Sequence, residues 1–156
     1  MRKIIKFCSE YIDKVVCILV IFLTLVLSIL MAVGVFYRYV LNNSIYWSGE
    51  VSRYLLVYIT FLGATIAYKR GAHVGIDIIV DKFSEDIQKF FHLIIHLSFI
   101  TFWLIILIKS FKLYPLYMLQ KTATLEIPYA IPFTALPLSA VIWIIHGINE
   151  IIGDKK

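Results

Sequence analysis

Charged residues are scarce in this sequence, and their scarcity argues against a soluble protein. Aspartate, glutamate, lysine and arginine make up 16% of the 156 residues, against roughly 25% in typical soluble domains. Hydrophobic residues make up 61%, and the mean hydropathy is +0.88. A core of this size cannot hide that apolar surface, because a domain of about 150 residues still exposes roughly 30% of its unfolded-chain surface. We therefore expect the chain to lie in a lipid bilayer.

Cysteines and catalytic motifs are also sparse. The two cysteines, Cys8 and Cys17, have no metal-binding spacing and define no disulfide framework. The sequence contains no nucleophile elbow, no HExxH motif and no glycine-rich phosphate loop. Despite a formal charge of +5, it has no basic stripe with interleaved aromatic residues, so nucleic acid is a poor candidate partner. We expect a protein that is not an enzyme and that binds no metal or cofactor.

Four stretches of the chain are long and apolar enough to predict membrane spans, since a spanning helix needs about 20 such residues. They lie at about 15–38, 47–69, 88–109 and 127–149, within a single membrane domain over residues 1–156. Pro128 lies near the start of the fourth span, where a helix tolerates proline, whereas the deeper Pro137 predicts a kink. The predicted fold class is therefore all-α integral membrane, with four transmembrane helices.

Two further amphipathic segments accompany the spans. Residues 3–15 place apolar side chains on one face at helical spacing, which is typical of a helix lying on the membrane surface. The apolar run that follows is too long for a signal peptide and has no cleavage site after it, so we expect it to be retained. Residues 74–89 mix isoleucines with charges and predict a short interfacial helix between spans 2 and 3.

The distribution of basic residues predicts the orientation. Four spans place both termini and the middle loop on one side, and that side carries ten of the fifteen lysines and arginines. Basic residues favour the cytoplasmic side of a membrane. Both termini are therefore expected in the cytoplasm. The basic side chains on the predicted cytoplasmic side are Arg2, Lys3, Lys6, Lys14, Lys69, Arg70, Lys82, Lys89, Lys155 and Lys156.

The second span carries the most informative polar residues. Glu50 and Arg53 are three residues apart, so they share a helix face and can pair. Two interpretations stand about equally: a polar anchor that faces a partner subunit, or two interfacial side chains that reach water. Arg38, at the end of the first span, is placed to join this cluster or to meet a lipid phosphate.

Small residues recur along the same helix at a spacing that permits close helix approach. They are Gly63, Ala67, Gly71 and Gly75, and the bulky residues Trp47, Tyr54 and Phe61 repeat every seven positions. This pattern indicates either a docking face for a helix of another chain or packing within this bundle. The turn at 71–77, which contains His73 and Asp77, is expected to end the helix.

The histidines leave a second class of function open. His92 and His146 lie on antiparallel helices and both approach the same side of the membrane, so a haem-b membrane anchor of a redox complex is an alternative hypothesis. Interfacial histidines are the simpler interpretation, because no flanking pattern makes room for a porphyrin. A free-standing helical adaptor is a third possibility.

The run from Trp47 to Asp77, WSGEVSRYLLVYITFLGATIAYKRGAHVGID, resembles the signature of the small membrane subunit of tripartite ATP-independent periplasmic (TRAP) transporters, the DctQ or SiaQ type. A later stretch is also similar, with Gln120, Thr124-Leu125-x-Ile127-Pro128 and Ala135-x-Pro137. The resemblance covers nearly the whole chain. This sequence departs from the family pattern at Gly49, where a second acidic residue is expected.

The resemblance implies a non-catalytic scaffold in a bacterial inner-membrane importer. Such a subunit pairs with a large permease subunit, and a periplasmic binding protein delivers an organic acid such as a C4-dicarboxylate or a sialic acid. The complex uses Na⁺, and membrane lipids surround it. The residues implicated at the subunit interface are Trp47, Glu50, Arg53, Tyr54, Gly63, Ala67 and Gly71. Arg38, Lys112 and Lys121 are candidates for contacts with the binding protein or with lipid headgroups, and His73, Asp77, Pro128 and Pro137 are candidate structural turn residues.

Overall fold

The structure, a computed structural model, describes residues 2–70 and 85–153 and is all-α over these ranges. Four of its segments are long and apolar enough to cross a membrane, which confirms the predicted fold class. The fourth crossing segment is built from two consecutive helices. The helices are α1 (Arg2–Tyr39), α2 (Ser48–Lys69), α3 (Glu85–Leu119), α4 (Ala130–Phe133) and α5 (Ala135–Gly153).

Helix α1 is one continuous helix of 38 residues, or about 57 Å at 1.5 Å per residue. The prediction of a separate N-terminal surface helix is wrong in this respect, because the amphipathic residues run directly into the first span. No glycine or proline lies between Arg2 and Ala32 to break the helix. After Tyr39 the chain turns through Asn42, whose φ of 48° is left-handed.

Helix α3 extends ten residues beyond the predicted end of the third span at 109, reaching Leu119. The predicted span ended at Lys109, the first charged residue after the apolar run. Lys109 and Lys112 are both exposed, and long basic side chains can reach water from an apolar helix. The predicted interfacial helix at 74–89 lies mostly outside the described residues, and its last five positions belong to α3.

Helix α5 is the centre of the bundle, since it packs against α1, α2 and α3. In the fourth crossing segment, which includes α5, 44% of the most apolar stretch is buried inside the chain, against 6% in the first. One apolar cluster joins α1, α2 and α5 through Val16, Leu62, Ile66 and Ile142.

A second cluster joins α2, α3 and α5 through stacked aromatic rings. Trp143 lies 5.1 Å from Trp103 and 4.7 Å from Tyr68 between ring centroids. Gly147 lets α5 approach α3 closely, because a Cβ atom there would lie 2.8 Å from Cγ1 of Ile100. The chain therefore has a specifically packed interior although most of its surface is apolar.

The fourth crossing segment is interrupted at Thr134, between α4 and α5. Pro137 has no N–H to donate to the carbonyl of Phe133, and its ring crowds that carbonyl. Helical hydrogen bonds resume on either side, from Thr134 N to Ala130 O at 3.0 Å and from Leu138 N to Thr134 O at 3.1 Å. The local break lies at the position that this proline affects.

Candidate functional site

Glu50 lies in the first turn of α2, where the helix dipole favours a carboxylate. Its side chain is only 3% exposed. One carboxylate oxygen, Oε2, accepts hydrogen bonds from the backbone N–H of Thr124 at 2.7 Å and of Leu125 at 3.3 Å. The other, Oε1, accepts a hydrogen bond from the Tyr54 hydroxyl one turn further along. Glu50 therefore binds the loop after α3 to the start of α2.

That loop, residues 120–129, is a short hairpin closed by backbone hydrogen bonds. Thr122 N donates to Ile127 O at 2.9 Å, and Tyr129 N donates to Gln120 O at 2.9 Å. The turn passes through Glu126, whose φ of 54° is left-handed, a conformation that costs free energy for a residue with a side chain. Glu50 fills the inside of this turn, so the hairpin is held from within by a buried carboxylate.

Tyr58 continues the same contact, two turns after Glu50. Its hydroxyl donates to the carbonyl oxygen of Ile131 at 2.8 Å and is hydrogen-bonded to the Thr134 hydroxyl. Glu50, Tyr54 and Tyr58 thus form a polar stripe at four-residue spacing that faces the hairpin and α4. Sequence reasoning noted two of these residues but missed the stripe, although its spacing was the available signal.

Arg53 does not pair with Glu50 in the described part of the chain. Its side chain is exposed, and Glu50 is occupied by the hairpin instead. The predicted i, i+3 ion pair is therefore absent, because backbone amides of the hairpin satisfy the carboxylate more completely than one exposed side chain would. Arg53 lines a cavity of about 530 Å³ between α2, the end of α3, the hairpin and α4.

The other candidate interface residues lie along α2 or beyond its end. Trp47 is 37% exposed, whereas Gly63 and Ala67 are half-buried. A Cβ atom built on Gly63 meets nothing of this chain within 4 Å. Gly71, His73 and Asp77 lie outside the described residues.

The candidate contacts with the binding protein or with lipid are all exposed. Arg38 lies at the end of α1 beside a smaller cavity of about 230 Å³, whose lining includes Ser44, Ser48 and Gly49. Lys112 lies on α3, and Lys121 lies in the hairpin, where it forms an isolated bridge with Pro128. Arg38, Lys112 and Lys121 thus offer cations to any anionic group that approaches.

Polar side chains also join the helices at the end of the bundle that holds the N-terminus. Ser9 and His146 are both buried, and Ser9 Oγ is hydrogen-bonded to His146 Nδ1 at 2.9 Å. Lys69 Nζ donates to the Ser9 carbonyl oxygen at 2.7 Å. Sequence reasoning missed this cluster, since serine and lysine in an amphipathic helix give no sign of a distant partner. It fixes the amphipathic part of α1 against α2 and α5.

Helical content and four segments that are long and apolar enough to cross a membrane define the class of this protein as a small multi-pass membrane protein. The family model for tripartite ATP-independent periplasmic transporters, DctQ component, matches residues 27–156. The chain belongs to this family and is a TRAP transporter small permease subunit. Membership of a transporter family argues against the alternative hypothesis of a haem-b membrane anchor.

Individual relatives agree with that assignment. A putative TRAP transporter small permease protein of Haemophilus influenzae is 24% identical over 148 residues, covering 95% of this chain and 90% of that protein. The isethionate TRAP transporter permease protein DctMQ of Oleidesulfovibrio alaskensis is 25% identical over 112 residues. The C4-dicarboxylate TRAP transporter small permease protein DctQ of Vibrio cholerae is 23% identical over 104 residues. These last two alignments cover 70% and 67% of this chain but only 18% and 45% of those proteins.

Proposed function

We propose that this chain is a non-catalytic scaffold that braces the large permease subunit of a sodium-coupled importer of organic acids. It also helps to dock a periplasmic binding protein. The complex lies in a bacterial inner membrane with both termini of this chain in the cytoplasm, as the bias of basic residues predicts. The chain binds no cofactor of its own, and Na⁺ is used by the complex.

The outward surface of α2 is the observation that carries this proposal. Thr60 is exposed on this helix, and Gly63 follows with open space where a side chain would lie. Large apolar side chains such as Phe22, Leu25 and Ile29 are more than half exposed along α1, and on α2 Leu56, two turns before Gly63, is exposed to a similar degree. Large apolar groups suit lipid, whereas small and hydroxyl residues suit a closely packed helix of another chain. The part of α2 around Thr60 and Gly63 therefore fits a protein partner.

The internal fastening of the chain supports the scaffold role. Glu50 and Tyr58 hold the hairpin and α4 to α2, while Ser9 and Lys69 hold α1 to α5 and α2. These polar groups are used to join elements of the same chain. A subunit built in this way presents a rigid surface, which is what a brace for a moving partner requires.

The relatives support the partner and the class of substrate. In the DctMQ relative, the part similar to this chain is a minor share of a longer permease protein, which fits lateral packing of the two parts in one membrane unit. The names of the relatives specify isethionate and a C4-dicarboxylate, which are both organic anions. We infer that the substrate here is also an organic acid, a C4-dicarboxylate, a sialic acid or similar.

Reconstituted uptake tests the proposal. Proteoliposomes that hold this chain together with its large permease subunit and binding protein should accumulate the organic acid only with an inward sodium gradient. Omission of this chain should abolish uptake, and this chain alone should transport nothing. Sodium-dependent uptake by this chain alone would overturn the scaffold role, and undiminished uptake without it would show that no brace is needed.

Substitution of Gly63 by leucine tests the proposed partner surface. A Cβ atom at this position meets nothing of this chain within 4 Å, so we expect the subunit to fold while co-purification with the large permease falls. Ala32→Leu is the matched control, because Ala32 is an exposed small residue on α1 and faces the surface assigned to lipid. Equal co-purification of Gly63→Leu and wild type would remove α2 from the interface.

A further inference from the structure

The cavity beside Arg53 lies where three crossing segments end. Arg53 is in the second turn of α2, Tyr117 is in the last turn of α3, and Phe133 is in α4 at the start of the fourth segment. Arg53 is five residues into its helix, or about 8 Å, which is comparable to the depth of the polar headgroup region on each side of a bilayer. For a span that begins at the membrane surface, the cavity therefore opens at the depth of the lipid headgroups.

The lining of this cavity has a cation on one side and apolar groups on the other. Val57, Pro132 and Phe133 supply the apolar wall, and the ring of Phe133 packs on Tyr117 with centroids 4.3 Å apart. Tyr129 is 42% exposed at the edge. A small hydrophilic anion would use only the cation, whereas an amphiphile would use both sides.

We propose that this cavity is a binding site for an anionic phospholipid, with the lipid phosphate at Arg53 and an acyl chain along Val57 and Phe133. A guanidinium group presents a planar pair of N–H donors that matches the oxygens of a phosphate. Among the residues that the structure describes, no carboxylate lies within ion-pair distance of Arg53. Its donors are therefore available to an external anion.

The neighbouring carboxylate defines how the lipid is recognised. Glu50 also lines the cavity, but its oxygens accept hydrogen bonds from Tyr54 and from the hairpin amides. Its negative charge offsets that of Arg53 at a distance, so long-range attraction of anions is weak. Recognition therefore depends on direct hydrogen bonds at Arg53 and on contact between the acyl chain and the apolar wall.

Native mass spectrometry of the purified full chain, titrated with dioleoyl phosphatidylglycerol, tests this site. We expect one saturable lipid that survives removal of detergent, and Arg53→Gln should weaken its binding about tenfold or more, since hydrogen bonds to a charged group are worth that much. Arg53→Lys keeps the charge but loses the planar donor pair, so its affinity for the lipid should lie between those of wild type and Arg53→Gln. Ala123→Leu, which narrows the cavity from the hairpin, should also weaken binding. Arg53 is exposed, so its substitution should leave the melting temperature unchanged.

Lys109→Gln is the matched control, because Lys109 is an exposed cation of α3 that does not line the cavity. Retained binding in Lys109→Gln and loss in Arg53→Gln would support the site. Equal loss of binding in both variants, or no loss in Arg53→Gln, would overturn it.

Titration of the lipid-free chain with succinate and with inorganic phosphate tests whether the cavity binds a soluble anion instead of a phospholipid. Arg53-dependent binding of either one would assign the cavity to a soluble anion and overturn the phospholipid proposal. The lipid measurement needs no transport activity, so its failure leaves the scaffold role testable by uptake.

Discussion

Replacement of Glu50 by alanine should release the 120–129 hairpin from the start of α2. The carboxylate accepts two backbone N–H groups of the hairpin, from Thr124 at 2.7 Å and from Leu125 at 3.3 Å. An alanine side chain offers no acceptor. Both amides would then lose their partner, and the Tyr54 hydroxyl would lose its acceptor as well.

The expected cost follows from these contacts. A buried donor left without a partner costs roughly 1–3 kcal/mol, so two amides imply about 2–6 kcal/mol. Water at the membrane boundary can reach part of the site, which places the expected loss for Glu50→Ala at about 2–4 kcal/mol. Glu50→Gln keeps an acceptor oxygen for the amides but loses the charge, and each charge-assisted bond is stronger by about 1 kcal/mol than a neutral one. Glu50→Gln should therefore cost about 1–3 kcal/mol.

Limited trypsin digestion at Lys121 measures this effect in the hairpin itself. Lys121 is exposed but its backbone lies in the bridge to Pro128, so cleavage requires local opening. A loss of about 2 kcal/mol in hairpin stability should raise the cleavage rate about 30-fold. The melting temperature of the purified chain should fall in parallel.

Arg53→Ala is the control, because Arg53 is exposed and makes no ion pair with Glu50 in the described residues. It should change neither the cleavage rate at Lys121 nor the melting temperature. Wild-type cleavage in Glu50→Ala would refute the role of the carboxylate in the hairpin. Equal destabilisation by Glu50→Ala and Arg53→Ala would instead indicate that the two residues act as a pair.

Two further predictions concern the packing of α5. Gly147→Ala should lower the melting temperature and cost about 1–3 kcal/mol, because its Cβ would lie 2.8 Å from Ile100 Cγ1. The Cβ atom of Gly63→Ala meets nothing within 4 Å, so this variant should have an unchanged or slightly higher melting temperature. A lower melting temperature for Gly63→Ala than for Gly147→Ala would contradict the packing of α3 on α5. Ser9→Ala should cost about 1–3 kcal/mol in an equilibrium unfolding measurement, since it leaves the buried His146 Nδ1 without its partner. Wild-type stability of Ser9→Ala would show that this bond does not hold α1.

The ends of the helices show which parts of the fold can be predicted from sequence patterns. The end of α2 at Lys69 is marked by charge, and the predicted span ended at the same residue. The end of the third span was placed too early, because Lys109 ends the uncharged run although a long basic side chain can reach water without ending the helix. The continuity of α1 was missed for the opposite reason, since an amphipathic segment and an apolar segment have different patterns but can share one helix.

The candidate site shows a similar division. Residue spacing drew attention to Glu50, Arg53 and Tyr54, and all three line the same cavity. Their bonding partners were not apparent, because a carboxylate and an arginine three residues apart look like a pair in any helical projection. Tyr58 was overlooked, since a tyrosine in an apolar helix has no local sign of the carbonyl that it will bind.

By itself, the sequence determined that this chain is a four-span membrane protein and which helix carries its polar residues. Hydropathy and residue spacing decide those properties locally, within about 20 neighbouring residues. Only the tertiary structure decided that Glu50 holds a hairpin 74 residues away and that Ser9 meets His146 across 137 residues. A buried hydrogen bond forms where two distant elements bring a donor and an acceptor within about 3 Å, and no local pattern in the chain specifies that distance.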